Sequence, residues 1–142
     1  MNTRSTDNLS LQRVLNEDEF RSLKALDSCA VANAIERFHV QLRNEGHTVD
    51  ELTCRFPEMP SVLGYAMTLT VRSGTPPTKG KVFFENMDWW NVLLAVPSPR
   101  ILVIQDMDRN PGAGALVGEV HAAILKSLGC IGIVTNGAVR DL

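Results

Sequence analysis

Three charged residues near the end of the chain have the types and spacing to act on a small anionic substrate. Arg140 and Asp141 follow an apolar run and an Asn-Gly turn, and Glu119 precedes that run. A guanidinium can hold a carboxylate or an enolate oxygen through two N–H donors. An aspartate can bind Mg²⁺, which keeps several waters and takes only one or two protein carboxylates. A glutamate can hold a metal-bound water or move a proton. For an Arg-Asp pair taken alone, the alternative is a solvated ion pair.

A glycine-rich segment over residues 111–119 comes just before Glu119 and into the start of a predicted helix. Backbone N–H groups at a helix N-terminus are unpaired, and the helix dipole there favours an anion. The segment is not a Walker A sequence, and its glycines at 112, 114 and 118 miss the dinucleotide-binding spacing by one residue. We therefore expect a carboxylate rather than a pyrophosphate as its ligand. The alternative is that these glycines only shape a tight loop.

The elements around these residues have an α/β pattern. Apolar runs predict strands over residues 63–72, 100–105 and 130–135. Helical spacing predicts helices over residues 87–96 and 115–128, which end at Pro97 and Gly129. The strand, helix and strand from 100 to 135 form a βαβ unit, which implies parallel strands and a right-handed crossover. The apolar face of the second helix is expected to comprise Leu116, Val117, Val120, Ile124 and Leu128.

The polar residues are predicted to meet at the carboxyl ends of these strands, where ligands bind in open α/β sheets. Asp106 and Asp108 leave one strand there and could approach a metal, although carboxylates that cap the loop are the favoured interpretation. His121 is two residues from Glu119, on another helix face, so we expect it to pack or to lie at the surface. The rings of Trp89 and Trp90 should diverge by about 100° in a helix, which leaves one in the core.

The N-terminal half carries fewer signals. Residues 1–17 are predicted to be a polar arm, and residues 18–142 the folded domain. One helix is expected to start around residues 16–19, and a second to run from Asp27 or Ser28 through Phe38. Residues 41–61 are expected to form a loop with at most one short helical turn.

Composition excludes several classes of protein. A net charge of −2 gives no electrostatic reason to expect a nucleic-acid partner. No apolar stretch approaches the roughly 18–20 residues of a membrane span, and the polar start does not resemble a secretory signal. Three widely spaced cysteines without a C-x-x-C motif argue against a disulfide framework and a structural zinc site. The expectation is a cytoplasmic protein with free thiols, some of them buried.

The spacing of the charged residues resembles that of the RraA-like proteins, a family of class II pyruvate aldolases and oxaloacetate decarboxylases. Members carry an acidic residue, twenty further residues and then Arg-Asp. Here twenty positions separate Glu119 from Arg140. The stretches GEVHA at 118–122, GIVTNGAVRD at 132–141 and LDSCAVANA at 26–34 also look like this family. The resemblance covers about residues 20–142, and its C-terminal third is the most specific part.

The resemblance implies a swivelling β/β/α fold that assembles as a homotrimer or homohexamer with active sites between subunits. It implies divalent-metal-dependent release of pyruvate from a 2-oxo acid, by retro-aldol cleavage of 4-hydroxy-4-methyl-2-oxoglutarate or by decarboxylation of oxaloacetate. The metal would be Mg²⁺, Mn²⁺ or another divalent ion. The resemblance implies neither a nucleic-acid nor a membrane partner.

The resemblance also assigns roles by position. Asp141 would be the metal ligand, Arg140 would bind the pyruvyl unit and stabilise the enolate, and Glu119 would orient metal-bound water and help to move a proton. The substrate carboxylate would be held by backbone N–H groups of the segment that contains Leu116, Val117, Gly118 and Val120.

Two departures and two alternatives accompany this assignment. Glu119 stands where many members have aspartate, and members continue past Arg-Asp with further strands, whereas this sequence stops at Leu142. A chain truncated at its C-terminus is therefore expected. One alternative is a non-enzymatic regulator that binds RNase E, and the other is an inactive paralogue. Regulators of that kind lack the acidic residue of the Arg-Asp pair, so Asp141 favours the enzyme.

Overall fold

The computed structural model describes residues 11–40, 42–43, 45–48, 51–74 and 88–141. Contacts divide the chain into two compact units. The first joins the described parts of Met1–Val14 and Gly64–Leu142, and the second is Leu15–Leu63. Residues 1–10 of the predicted arm lie outside the described residues, whereas the backbone N–H of Leu11 donates to the carbonyl of Ala95.

The described elements are helices and strands, and after residue 64 the two kinds are mixed along the chain, as the α/β pattern of the sequence predicts. They are, in chain order, α1 (Glu17–Lys24), α2 (Ser28–Glu36), β1 (Tyr65–Val71), α3 (Asp88–Ala95), β2 (Arg100–Asp106), β3 (Ala115–Val117), α4 (Glu119–Ser127), β4 (Cys130–Thr135) and β5 (Ala138–Val139). No helix among the described residues is long and apolar enough to cross a membrane.

The first unit is built on a parallel sheet of three strands in the order β1-β2-β4. All three strands match predicted ones, and the parallel pairing of β2 with β4 confirms the βαβ unit. The register places Val71 beside Asp106 and Ile104 beside Thr135, so the three strands end close together. The side chains that follow them are therefore neighbours.

The predicted helix over residues 115–128 is wrong in its first part. Ala115–Val117 is the short strand β3, which pairs in parallel with β5, and α4 begins only at Glu119. The pairing with β5 overrides the helical periodicity of residues 115–117, because a tertiary partner supplies the backbone hydrogen bonds that a helix would otherwise provide.

The shorter helix also presents a different face to the core. Leu125 is buried, and His121 and Leu128 are half-buried. Val120 and Ile124, which were expected inside, are 70% and 40% exposed. The buried stripe therefore follows positions 121, 125 and 128. Leu128 is inside as predicted, whereas 121 and 125 each lie one position after the predicted Val120 and Ile124.

The core of the first unit lies between the sheet and its helices. Leu93 of α3, Leu102 of β2 and Leu125 of α4 are its largest fully buried side chains. Trp89 and Trp90 do not diverge: both are half-buried against this core, with ring centroids 3.6 Å apart. The side-chain torsion angles of two adjacent large residues can still bring their rings together, although their Cβ atoms point about 100° apart around the helix.

The second unit contains two short capped helices. Asn16 forms a capping box with Glu19 at the start of α1, and the Asp27 carboxylate accepts from the Ala30 N–H at the start of α2. The predicted extension of α2 to Phe38 is wrong, because the helix ends at Glu36. Neither helix contains a buried residue. The described part of residues 41–61 has no helix or strand, which confirms the predicted loop.

Candidate active site

The pairing of β3 with β5 brings the Arg-Asp pair to the start of α4. The backbone N–H of Arg140 donates to the carbonyl of Val117 at 3.0 Å, which extends the two-strand pairing by one residue. The backbone N–H of Glu119 donates to Asp141 Oδ2 at 3.3 Å. Glu119, Arg140 and Asp141, which lie on two segments of the sequence, are therefore neighbours. Two of the hydrogen bonds that hold them together have backbone N–H groups as donors.

Gly118 makes this approach possible. A Cβ atom on residue 118 would lie 2.5 Å from Asp141 Oδ2 and 2.8 Å from Arg140 Nε. The Gly118 backbone is extended, with φ −138° and ψ −169°, so its conformation does not require glycine. The closeness of the two side chains is what excludes a larger residue here.

Arg140 and Asp141 form an open pair. Arg140 Nε lies 3.7 Å from Asp141 Oδ2, and the two side chains are 65% and 53% exposed. At this exposure the pair itself contributes little stability. Asp141 has φ +64°, a left-handed conformation that is uncommon for a residue other than glycine. Backbone strain at a pair of so little structural value is typical of a functional site.

The start of α4 offers backbone donors to a ligand. Gly118 is the N-cap and makes no side-chain hydrogen bond to the helix. The first-turn N–H groups after that of Glu119 therefore lack a capping side chain, and the helix dipole adds partial positive charge. The side chain of Glu119 is exposed at this end, whereas the ring of His121 stacks with Trp90 at 6.3 Å, in agreement with the packing role expected for it.

Leu116 and Val117 are placed differently from the predicted carboxylate-binding segment. Both lie in β3, and the Val117 side chain belongs to the hydrophobic core. Of the predicted segment, Gly118 and Val120 remain at the helix N-terminus. The predicted carboxylate-binding segment therefore spans the end of β3 and the start of α4, which begins at Glu119.

Among the described residues of the unit, the most buried carboxylate is that of Asp106, at the end of β2. Its side chain is 3% exposed and accepts from the N–H of Gly112, the hydroxyl of Ser73 and the N–H of Asp108. These donors, with Gly112 the largest contributor, lower the pKa of Asp106 to about 2 against the opposing effect of burial. Asp108 in turn accepts from the N–H of Gly74. Both aspartates therefore cap loops, the favoured interpretation of their sequence.

A metal at this site would have few protein ligands. The described residues contain no group of three or more His, Cys, Asp and Glu side chains that could hold a metal. Asp141 Oδ1 makes no hydrogen bond to a described residue, and the carboxylate is half exposed. A single accessible carboxylate fits a hydrated Mg²⁺ or Mn²⁺, which retains most of its waters.

Comparisons with known proteins agree with the resemblance found in the sequence. A search of curated proteins and one of solved structures return no match. The family model described as RraA-like, Aldolase/RraA, matches residues 28–142, which contain β1 to β5 and the whole candidate site. The chain therefore belongs to the RraA-like family.

Proposed function

We propose that the chain is a divalent-metal-dependent lyase that cleaves a C–C bond of a 2-oxo acid and releases pyruvate. The reaction is retro-aldol cleavage of 4-hydroxy-4-methyl-2-oxoglutarate, decarboxylation of oxaloacetate, or both. One observation carries the proposal: Arg140, Asp141 and Glu119 converge on the N-terminus of α4, where the N-cap residue Gly118 provides no capping side chain. Either reaction develops negative charge next to a carboxylate, and this site combines cationic and N–H donors with two acids.

Asp141 would hold the metal through its accessible oxygen. A bound Mg²⁺ or Mn²⁺ would supply a Lewis acid for the charge that develops on the 2-oxo oxygen as the C–C bond breaks. The Glu119 N–H at 3.3 Å and the Arg140 guanidinium at 3.7 Å both face Asp141 Oδ2 and orient the carboxylate.

Arg140 would bind the pyruvyl unit. Its guanidinium is exposed and always charged, and its planar N–H groups can hold two oxygens of the substrate at once. Positive charge here stabilises the enolate more than the neutral ketone, which is what lowers the barrier. The first-turn N–H groups of α4 would receive the substrate carboxylate, and the exposed Glu119 carboxylate would exchange the proton.

A homotrimer or homohexamer is the assembly expected for this site. Apolar side chains remain exposed on the elements that carry or adjoin it, namely Val120, Ile124, Ile131 and Val134. Exposed apolar side chains on these elements favour association between subunits. Sedimentation of the purified chain would measure the assembly, and a monomer at assay concentration would contradict it.

The test is pyruvate release from each substrate with Mg²⁺ and with EDTA, coupled to lactate dehydrogenase. Asp141→Asn and Arg140→Met should abolish the release that exceeds the background from free Mg²⁺, which slowly decarboxylates oxaloacetate. The matched controls are Asp18→Asn and Arg21→Met, because Arg21 and Asp18 form another exposed pair, at 3.3 Å on α1. These controls should retain full activity.

Two results would overturn the proposal. The first is release that EDTA leaves unchanged, and the second is release that survives both site substitutions. An inactive chain that captures RNase E without metal would favour the regulator, and an inactive chain that does neither would favour the inactive paralogue.

A further inference from the structure

We propose that Asp106 is a positioning residue, which holds the two chain segments that carry the candidate active site in register with each other. The segments are residues 111–119, which lead to Glu119, and residues 136–141, which contain Arg140 and Asp141. The catalytic consequence rests on the proposed function, whereas the structural consequence does not.

The side chain of Asp106 holds the first segment. Oδ2 accepts from the Gly112 N–H at 2.9 Å and lies 2.7 Å from the Ser73 hydroxyl, and Oδ1 accepts from the Asp108 N–H at 3.0 Å. The Ser73 oxygen is also 3.0 Å from the carbonyl oxygen of Gly114. Gly112, in the bend that leads into β3, is therefore bonded directly to the carboxylate, and Gly114 lies beside the Ser73 hydroxyl that donates to that carboxylate.

The backbone of Asp106 holds the second segment. Its N–H donates to Asn136 Oδ1 at 2.7 Å, and its carbonyl accepts from Asn136 Nδ2 at 3.2 Å. The amide side chain thus bonds the end of β2 as a neighbouring strand would. Gly137, which follows Asn136, also packs closely against Asp106, because a Cβ on residue 137 would lie 3.3 Å from Asp106 Cβ.

The two segments meet again at the site. Ala115 pairs with Ala138 and Val117 with Val139, and Arg140 continues the pairing through the Val117 carbonyl. A strand pair this short has little stability alone. Asp106 fixes the start of both strands, so it sets the register in which Arg140 and Asp141 arrive at Gly118.

The surroundings of Asp106 fit a positioning role rather than a catalytic one. The carboxylate is buried, and both oxygens are occupied by donors from the protein. These donors hold its pKa at about 2, so it does not exchange protons near neutral pH. The effect on catalysis is transmitted through the loops.

The substitution Asp106→Asn tests the positioning role without changing the size of the side chain. In either orientation the new NH₂ group would face a backbone N–H donor, that of Gly112 or that of Asp108, so one anchor is lost. The expected result is a kcat for pyruvate release about 10- to 100-fold lower, because small displacements of catalytic groups have effects of that size. The backbone amide NMR signals of Glu119, Arg140 and Asp141 should shift as well.

Arg100→Met is the control for simple destabilisation. Arg100 opens β2 at the opposite end from Asp106, and its guanidinium bonds the carbonyls of Val96 and Leu128. This variant should lose stability yet keep the wild-type kcat, measured well below its melting temperature, and the wild-type signals of the site.

A folded Asp106→Asn protein with the wild-type kcat and unshifted site signals would overturn the proposal. If that variant does not fold, kcat and the NMR signals are measured on Asn136→Ala instead, which removes only the two hydrogen bonds to the Asp106 backbone. If neither variant folds, Asp106 determines the fold and the positioning role fails. If the wild-type chain proves inactive, the proposed function fails by itself, and the NMR shifts alone decide on the register.

Discussion

The Cα of Gly118 lies directly against the carboxylate of Asp141, and a methyl group there would come within 2.5 Å of Oδ2. The same methyl would be 2.9 Å from Arg140 Cγ. Any side chain at position 118 must therefore move both residues of the Arg-Asp pair. A substitution at residue 118 therefore tests the position of the Arg-Asp pair without removing a functional group.

Gly118→Ala should lower kcat/KM about 100-fold, the size of effect that a displacement of about 1 Å has on positioned groups. Because the backbone at 118 is extended, alanine adds no conformational strain, and the thermal midpoint should change little. Steady-state kinetics and calorimetry on the purified variant would measure both quantities.

Gly64→Ala is the matched control for that substitution. A Cβ on residue 64 would lie 2.9 Å from the backbone carbonyl of Pro99, also a crowded contact and one just before β1. This variant should lower the thermal midpoint and leave kcat per folded molecule unchanged. Equal activity losses in the two variants would show that crowding alone, rather than displacement of Asp141, is responsible.

Acid stability should depend on Asp106. Its pKa in the folded protein is about 2, against an ordinary value of 3.8, and the Gly112 N–H is the main cause. A lowered pKa stabilises the folded state fully above the ordinary value, and this contribution is lost as the pH falls from 3.8 towards about 2. The difference in unfolding free energy between wild type and Asp106→Asn should therefore shrink over that range.

Ser73→Ala should make the unfolding free energy depend on acid pH less than in wild type and more than in Asp106→Asn. The substitution removes the hydroxyl donor to Asp106 and leaves the N–H donors of Gly112 and Asp108. Urea unfolding at a series of acidic pH values would show it. A constant difference between wild type and Asp106→Asn at every pH would assign the acid sensitivity to other carboxylates.

The strands of the three-stranded sheet, β1, β2 and β4, were predictable from sequence because each is a compact apolar run with a clear stop. Cys130–Thr135 is bounded by Gly129 and Asn136, and its strand assignment needed no knowledge of its neighbours. Residues 115–117 were not predictable in the same way. Their apolar side chains fit helical and strand spacing equally over so short a stretch, and only the contact with Ala138–Val139, twenty residues later, decides between them.

The candidate site also has one part that could be predicted from the sequence and one that could not. The types and spacing of Glu119, Arg140 and Asp141 are visible in the sequence, and the structure brings them together at one helix end. The anchoring role of Asp106 depends on five hydrogen bonds with four residues scattered over three loops, namely Ser73, Asp108, Gly112 and Asn136. An aspartate at the end of a strand indicates a loop cap, but it does not show which loops it joins.

The three thiols should differ in reactivity. Cys29 and Cys54 are exposed and Cys130 is buried. Burial raises the pKa of Cys130, an effect that the nearby Arg100 charge opposes, so little thiolate forms there. A chromogenic disulfide reagent should titrate two thiols rapidly and the third only on unfolding. Cys130→Ala should remove the slow phase, and a fast third thiol in the native protein would contradict the burial.

Arg100 should contribute more to stability than any surface ion pair of the chain. Its guanidinium donates to the carbonyls of Leu94, Val96 and Leu128 and to the Ser98 hydroxyl, and so joins the C-terminal ends of α3 and α4 to the first residue of β2. Last-turn carbonyls have no partner within their own helix, and a cation there also complements the helix dipoles.

Arg100→Met keeps much of the apolar stem but leaves these carbonyls unpaired, which should cost about 2–3 kcal/mol of unfolding free energy. Urea unfolding would measure the loss. Arg21→Met, which breaks an ion pair of two largely exposed side chains, should cost less than about 0.5 kcal/mol in the same experiment. Equal losses in the two variants would mean that water replaces the guanidinium at the helix ends, and that the sheet and helices are held together by the apolar core alone.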